Sequence, residues 1–109
     1  MVLQAFANAC KRVLRANDTL ALWGGEEFLL LMPQTRAADA ELIVNRILEH
    51  VNTTAFQFDG APVMITFSAG VAERDPAETM GQAVMRADRA MYTAKTAGRN
   101  RVMREPQAV

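Results

Sequence analysis

Leu20-Ala-Leu-Trp-Gly-Gly-Glu-Glu-Phe-Leu-Leu-Leu-Met32 sets the reading of the whole chain. Two apolar runs flank Gly24-Gly25-Glu26-Glu27. Strand, glycine-containing turn, strand is the grammar of a β-hairpin. The glycines take the backbone where a side chain could not go, and two adjacent carboxylates follow them onto the lip of an apolar strand. Successive strand residues point to opposite faces. A strand already begun at Glu26 therefore turns one of Glu26 and Glu27 outward and the other into the fold. The turn has two readings. It is a hairpin with solubilising acids, or a place where a phosphate group and a hard cation meet bare backbone and carboxylate oxygens.

Upstream, Leu3, Phe6, Cys10, Val13 and Leu14 share one face and predict a helix from Val2 to about Arg15. No Ser, Thr, Asp or Asn caps its start, and the expectation is a chain cut from a longer protein just before this helix. Arg15-Ala-Asn-Asp18 ends it, and Thr19 to Trp23 is the first hairpin strand. Phe28 to Met32 is the second, apolar without alternation, the pattern of a strand buried on both faces. Pro33 stops it. Thr35 is the expected N-cap of a helix from about Arg36 to Val51, buried through Ala40, Ile43, Val44, Ile47, Leu48 and Val51. His50 lies near the C-terminus of that helix, a favourable place for positive charge.

Phe56 to Phe58 reads as a short strand and Asp59-Gly60 as a turn. Val63 to Ala72 reads as one long strand, with Gly70 marking a bulge or a close backbone contact. The last helix runs from about Thr79 to Ala97, with Met80, Ala83, Val84, Ala87, Ala90, Met91 and Ala94 inward. Gly98 is its C′ residue, and Arg101 to Arg104 closes the chain with a strand. The order α-β-β-α-β-β-α-β predicts an α+β fold, a sheet covered by helices.

The 109 residues suffice for one small domain, 1–109, and a composition 50% hydrophobic and 22% charged is that of a folding chain. A formal net charge of zero argues against a generally basic nucleic-acid surface. Cys10 is the one cysteine, so no internal disulfide forms, in keeping with a reducing cytoplasm. No apolar run reaches membrane-spanning length. Lys95 and Arg99 flank the last helix C-terminus, where they offset the helix dipole. Arg15 and Asp18 stand at the i,i+3 spacing of a surface ion pair.

Four stretches together carry a family resemblance. Trp23-Gly-Gly-Glu-Glu-Phe28 resembles the signature of the GGDEF family, the diguanylate cyclases. Phe67-Ser-Ala-Gly-Val-Ala72 resembles its strand after the second helix. Ala87-Asp-Arg-Ala-Met-Tyr-Thr-Ala-Lys95 with Ala97-Gly-Arg-Asn-Arg-Val102 resembles its closing helix and turn. Arg15-Ala-Asn-Asp18 stands where the family has its Arg-x-x-Asp inhibitory motif. The resemblance implies a nucleotidyl-cyclase, ferredoxin-like palm with an antiparallel-rich sheet. It also implies cyclic di-GMP signalling: two GTP condense to cyclic di-GMP and pyrophosphate between two facing copies, each with a divalent cation.

Carried over to this chain, the resemblance implies that Gly24 and Gly25 admit the nucleotide and that Glu26 binds Mg²⁺ or Mn²⁺ and helps activate the attacking hydroxyl. Lys95 and Arg99 would hold the terminal phosphates, and Arg15 and Asp18 the product. Asp88 and Tyr92 match as structural residues. It implies a cytoplasmic homodimer served by an upstream sensor domain, without nucleic-acid or membrane contact. Two departures stand out. The family usually carries Arg where this chain has Leu22, and its first strand with an Asp-rich metal and guanine segment is missing from this chain. That strand is central in the family, so its loss would leave two strand edges unpaired. The expectation is then a longer polypeptide, or a sheet completed by a partner copy. Three functions remain open: a nucleotide-binding but catalytically impaired domain, an active cyclase in the longer protein, and a non-enzymatic dimerisation module.

Overall fold

Strand–turn–strand forms where Leu20 to Met32 places it. β1 (Thr19–Gly24) and β2 (Glu27–Leu31) pair antiparallel, with Leu20 opposite Leu30 and Leu22 opposite Phe28. The register shifts between Leu22 and Gly24, so Trp23 is the extra residue of a β-bulge. Gly25 turns the chain at φ +53°, a conformation costly for residues with a Cβ. This computed structural model describes the backbone of residues 2–105 and the side chains of residues 3–105. Met1 and residues 106–109, which belong to the expected domain 1–109, lie outside the described residues.

Glu26 and Glu27 are both exposed, which corrects the expectation that one turns inward. β2 begins only at Glu27, so Glu26 belongs to the turn and strand alternation does not govern it. β2 is also not buried on both faces: Phe28 to Leu31 are half-buried, and β1 is exposed except at half-buried Leu20. The hairpin is a two-stranded sheet by itself. Its cover is α1 (Val2–Val13), whose Phe6 ring lies 5.0 Å from the Phe28 ring. Phe6 meets Phe67 edge-on at 5.2 Å as well, so one side chain ties the hairpin to the segment around Phe67.

α2 spans Ala37–Thr53 and buries Ala37, Ala40, Ile47, Leu48 and Val51. Ile43 and Val44 are half-buried. Thr35 is not its cap. Arg36 holds the N-cap position without a side-chain bond, and the Ala37 N–H donates to Glu73 Oε1 at 2.8 Å. Thr35 is engaged elsewhere, donating to the Pro33 carbonyl and accepting from Arg15 Nη2. A carboxylate from a distant loop thus takes over the role that a local hydroxyl usually fills.

β3 (Phe56–Phe58) and β4 (Ala61–Val63) form a second hairpin around Asp59 and Gly60, both at positive φ as a type I′ turn requires. The long strand expected from Val63 to Ala72 is split. β4 stops where three-residue β3 offers no further partner. β5 (Ala69–Val71) starts where Ala69 N–H reaches the Arg101 carbonyl at 3.0 Å, and it pairs parallel with β6 (Val102–Arg104). Apolar residues alone do not make a strand; a neighbouring backbone must take its hydrogen bonds. The observed order is α-β-β-α-β-β-β-α-β.

α3 (Met80–Thr96) opens with a capping box, Thr79 and Gln82 each bonding the other's backbone N–H. Ala83, Ala90 and Ala94 are buried, whereas Met80, expected inward, is 49% exposed in the first turn. The alanines matter because α3 lies directly on β5. A Cβ at Gly70 would stand 1.9 Å from the Ala87 carbonyl oxygen and 2.3 Å from the Met91 nitrogen. Among the described residues the core includes two clusters, Ala9 with Val51 and Ile65, and Ala37 with Ala40 and Val71. Asp88 and Tyr92 do not hold the helix: both are exposed, and neither side chain has a hydrogen-bond partner among the described residues.

Candidate functional site

Three groups of residues singled out by the sequence fall at three places. The first is the turn after α1. Arg15 donates from its backbone N–H to Asp18 Oδ2 at 2.9 Å, and from Nη2 to Oδ1 at 3.2 Å. A return bond from Asp18 N–H to the Arg15 carbonyl, 3.1 Å, closes the turn. Asp18 exposes none of its side chain, while Arg15 keeps 48% of its own exposed. Burial of the Asp18 carboxylate works to raise its pKa. The bonds from Arg15 outweigh it and hold the group below the usual aspartate value. Both residues line a surface concavity of about 400 Å³ together with Lys11, Leu14, Thr19 and Leu20.

The second place is the hairpin corner. A Cβ at Gly24 or Gly25 would meet no atom within 4 Å, so the corner is open to an approaching group. Glu26 stands exposed beside it. Leu22, where the resembling family has Arg, is 57% exposed, and Trp23 is 61% exposed. The open corner is therefore flanked by apolar surface and one carboxylate pair.

The third place is the end of α3. The helix closes in a Schellman motif: Arg99 N–H donates to the Ala94 carbonyl at 2.9 Å and Gly98 N–H to the Lys95 carbonyl at 3.5 Å. Gly98 takes φ +126°, Arg99 +64° and Asn100 +48°. Lys95 is half-buried and Arg99 exposed. Neither side chain has a hydrogen-bond or ion-pair partner among the described residues. The motif brings these two cations to one end of one helix. No hydrogen bond among the described residues joins this end to the glycine corner.

Among the described residues no three His, Cys, Asp or Glu side chains gather as metal ligands. Mg²⁺ is commonly held through one or two carboxylates, with waters and substrate phosphates completing its octahedron, and at the glycine corner the exposed Glu26 and Glu27 are the neighbouring carboxylates. Sequence reasoning missed Thr35, which reaches Arg15 from twenty residues away, and Ser68, whose Oγ accepts from Asn100 N–H at 3.2 Å. Local spacing gives no sign of either contact.

Residues 1–101 match the family described as diguanylate cyclase, GGDEF domain, and the chain belongs to that family. It is 39% identical over 102 residues to diguanylate cyclase DgcP of Pseudomonas aeruginosa, a match covering 93% of this chain and 15% of that protein. It is 39% identical over 105 residues to response regulator PleD of Caulobacter vibrioides, covering 94% and 23%. Among solved structures, the GGDEF domain of DgcB from Caulobacter crescentus in complex with c-di-GMP superposes with TM-score 0.88 and 32% identity, covering 95% of this chain and 63% of that one. Diguanylate cyclase SiaD, solved with its activator SiaC from Pseudomonas aeruginosa, superposes at 0.87 with 42% identity, covering 94% and 40%. The fold is the α+β palm of these cyclase domains. The chain spans less than a quarter of the length of the two relatives named first.

Proposed function

We propose that residues 1–109 act as a single, truncated GGDEF unit of cyclic di-GMP signalling that binds guanine nucleotide and is impaired in synthesis as it stands. The observation that carries this reading is the Arg15–Asp18 turn. A buried carboxylate fixes a guanidinium that stays half exposed over a concavity of about 400 Å³, within the size range of small-molecule sites. Arg15 takes phosphate oxygens or a base edge of cyclic di-GMP, and Asp18, whose covered carboxylate is bonded to Arg15 through both oxygens, holds that guanidinium in place instead of meeting guanine itself. Lys95 and Arg99 take the terminal phosphates of GTP, Lys as a compact charge and Arg as a fork. Gly24 and Gly25 leave room for the nucleotide against the backbone.

In the family's reaction a 3′-hydroxyl attacks the α-phosphate of a second GTP, and pyrophosphate leaves. In this reading Glu26 would contribute one carboxylate to a divalent cation and to the hydroxyl. With Leu22 in place of a cation and no three-donor cluster among the described residues, the metal half of the site is weak. Titration calorimetry with cyclic di-GMP tests the binding claim. Measurable heat, lost on Arg15→Ala, supports it; no heat at high micromolar ligand refutes it.

A second reading has its own support. The chain spans 15% of a relative named as a diguanylate cyclase, so the working enzyme in this reading is a longer protein with a sensor domain upstream. That protein, a cytoplasmic homodimer without nucleic-acid or membrane contact, turns over GTP with Mg²⁺ and loses turnover on Glu26→Ala. No helix described here is long and apolar enough to cross a membrane.

A further inference from the structure

We propose that Ser68 and Arg101 are positioning residues for Arg99, fixing the turn from which its guanidinium meets a nucleotide's terminal phosphates. The inference rests on the phosphate-binding reading of Arg99 given above. Its basis is the turn itself. Arg99 and Asn100 take φ +64° and +48°, a region that asparagine enters readily but that a long side chain such as Arg99 avoids unless the surroundings hold it there. Three polar groups of the turn's backbone have a named holder. Arg99 N–H is bound by the Ala94 carbonyl at 2.9 Å. The Arg99 carbonyl accepts from Arg101 Nε at 3.1 Å. Asn100 N–H donates to Ser68 Oγ at 3.2 Å.

Arg101 folds back over Gly98, where a Cβ would stand 2.6 Å from its Nη2. The glycine is required by its φ of +126°, and the guanidinium lies across the face its missing side chain leaves bare. Ser68 immediately precedes Ala69, whose N–H binds the Arg101 carbonyl at 3.0 Å. The start of the β5–β6 pairing and the turn are therefore one hydrogen-bonded unit. Backbone is fixed on both sides of Arg99, while its guanidinium has no partner among the described residues. That is the arrangement of a preorganised anion contact: the donor is free and the chain that carries it is not.

A double-mutant cycle on the full 109-residue chain, with GTP as the probe, separates this role from a general structural one. The expected result is that Ser68→Ala and Arg101→Gln each weaken GTP binding about 3- to 10-fold when Arg99 is present, the scale of one lost hydrogen bond. In an Arg99→Ala background each has no further effect. Ser68→Ala removes no charge, so its loss is not a change in long-range attraction, and it stands as the second variant should Arg101→Gln fail to fold. Equal losses in both backgrounds overturn the inference, as does an unchanged affinity in Ser68→Ala when Arg99→Ala weakens binding. That last outcome leaves the phosphate reading intact. An unmodified chain that does not bind GTP, or Arg99→Ala binding as well as the parent, removes the phosphate reading and this inference with it.

Discussion

Glu73 Oε1 accepts the Ala37 N–H at 2.8 Å across thirty-six residues of sequence. This bond caps α2 from the loop that follows β5, and the Glu73 carbonyl in turn accepts from Arg86 Nη2 on α3. One residue therefore joins the two long helices, by its side chain on one side and its backbone on the other.

Glu73→Ala leaves the first N–H of α2 without a side-chain acceptor. Loss of an N-cap costs about 0.5–2 kcal/mol, and a fall in Tm of about 4–8 °C per kcal/mol is expected for a domain of this size. Urea unfolding with an unchanged m-value is the check. Thr35→Val should leave α2 capping untouched, because the Thr35 hydroxyl bonds to Pro33 and Arg15 and not to the helix.

Glu78 supplies an acid-dependent element. Its carboxylate receives Arg86 Nε at 2.7 Å and Nη2 at 2.8 Å. Bonds from Arg86 first, then from the Asp75 N–H, draw its pKa from 4.5 down to about 2. A depressed carboxylate stabilises the fold fully above its unfolded value, and the contribution disappears as pH falls from about 4.5 through about 2. Chemical denaturation from pH 6 to pH 2 should show stability dropping across that window in the parent chain. In Glu78→Gln the same window should be flatter, and the stability at pH 6 lower.

Gly70→Ala should be among the most damaging single changes. The added Cβ would lie 1.9 Å from one backbone atom of α3 and 2.3 Å from another, and neither can swing aside as a flexible side chain does. The helix must lift off β5, at a cost of about 3 kcal/mol or more. Gly24→Ala is the control, since its Cβ meets nothing within 4 Å. Comparable loss in both variants would contradict the packing described here.

Cys10 is 2% exposed, and burial pushes its thiol up to about 11. The thiolate is the reactive form, so native chain at pH 8 should resist alkylation over hours and react within minutes in denaturant. Rapid native modification would mean that α1 opens away from α2 far more readily than its packing implies.

Local chemistry determined much of this protein. Gly-Gly between apolar runs specified the first hairpin, Asp59-Gly60 the second, and Gly98 the end of α3, because turns and caps depend on φ preferences that a residue carries with it. The family motifs were legible for the same reason, each being a short contiguous run. The stretch from Val63 to Ala72 could not be parsed this way. It is apolar apart from Thr66 and Ser68, yet only Val63 joins β4 and only Ala69 to Val71 form β5, because strand pairing is settled by which backbone lies alongside. Thr35 and Glu73 exchanged roles on the same principle: a hydroxyl near in sequence lost the α2 cap to a carboxylate near in space. Tertiary structure alone also decided that Asp18 is sealed while Arg15 stays half open, and that Ser68 and Arg101 converge on one turn. Hydrogen bonds and burial are properties of surroundings, and for Arg15 at Thr35, Ala37 at Glu73 and Asn100 at Ser68 those surroundings are built by chain that lies far off in sequence.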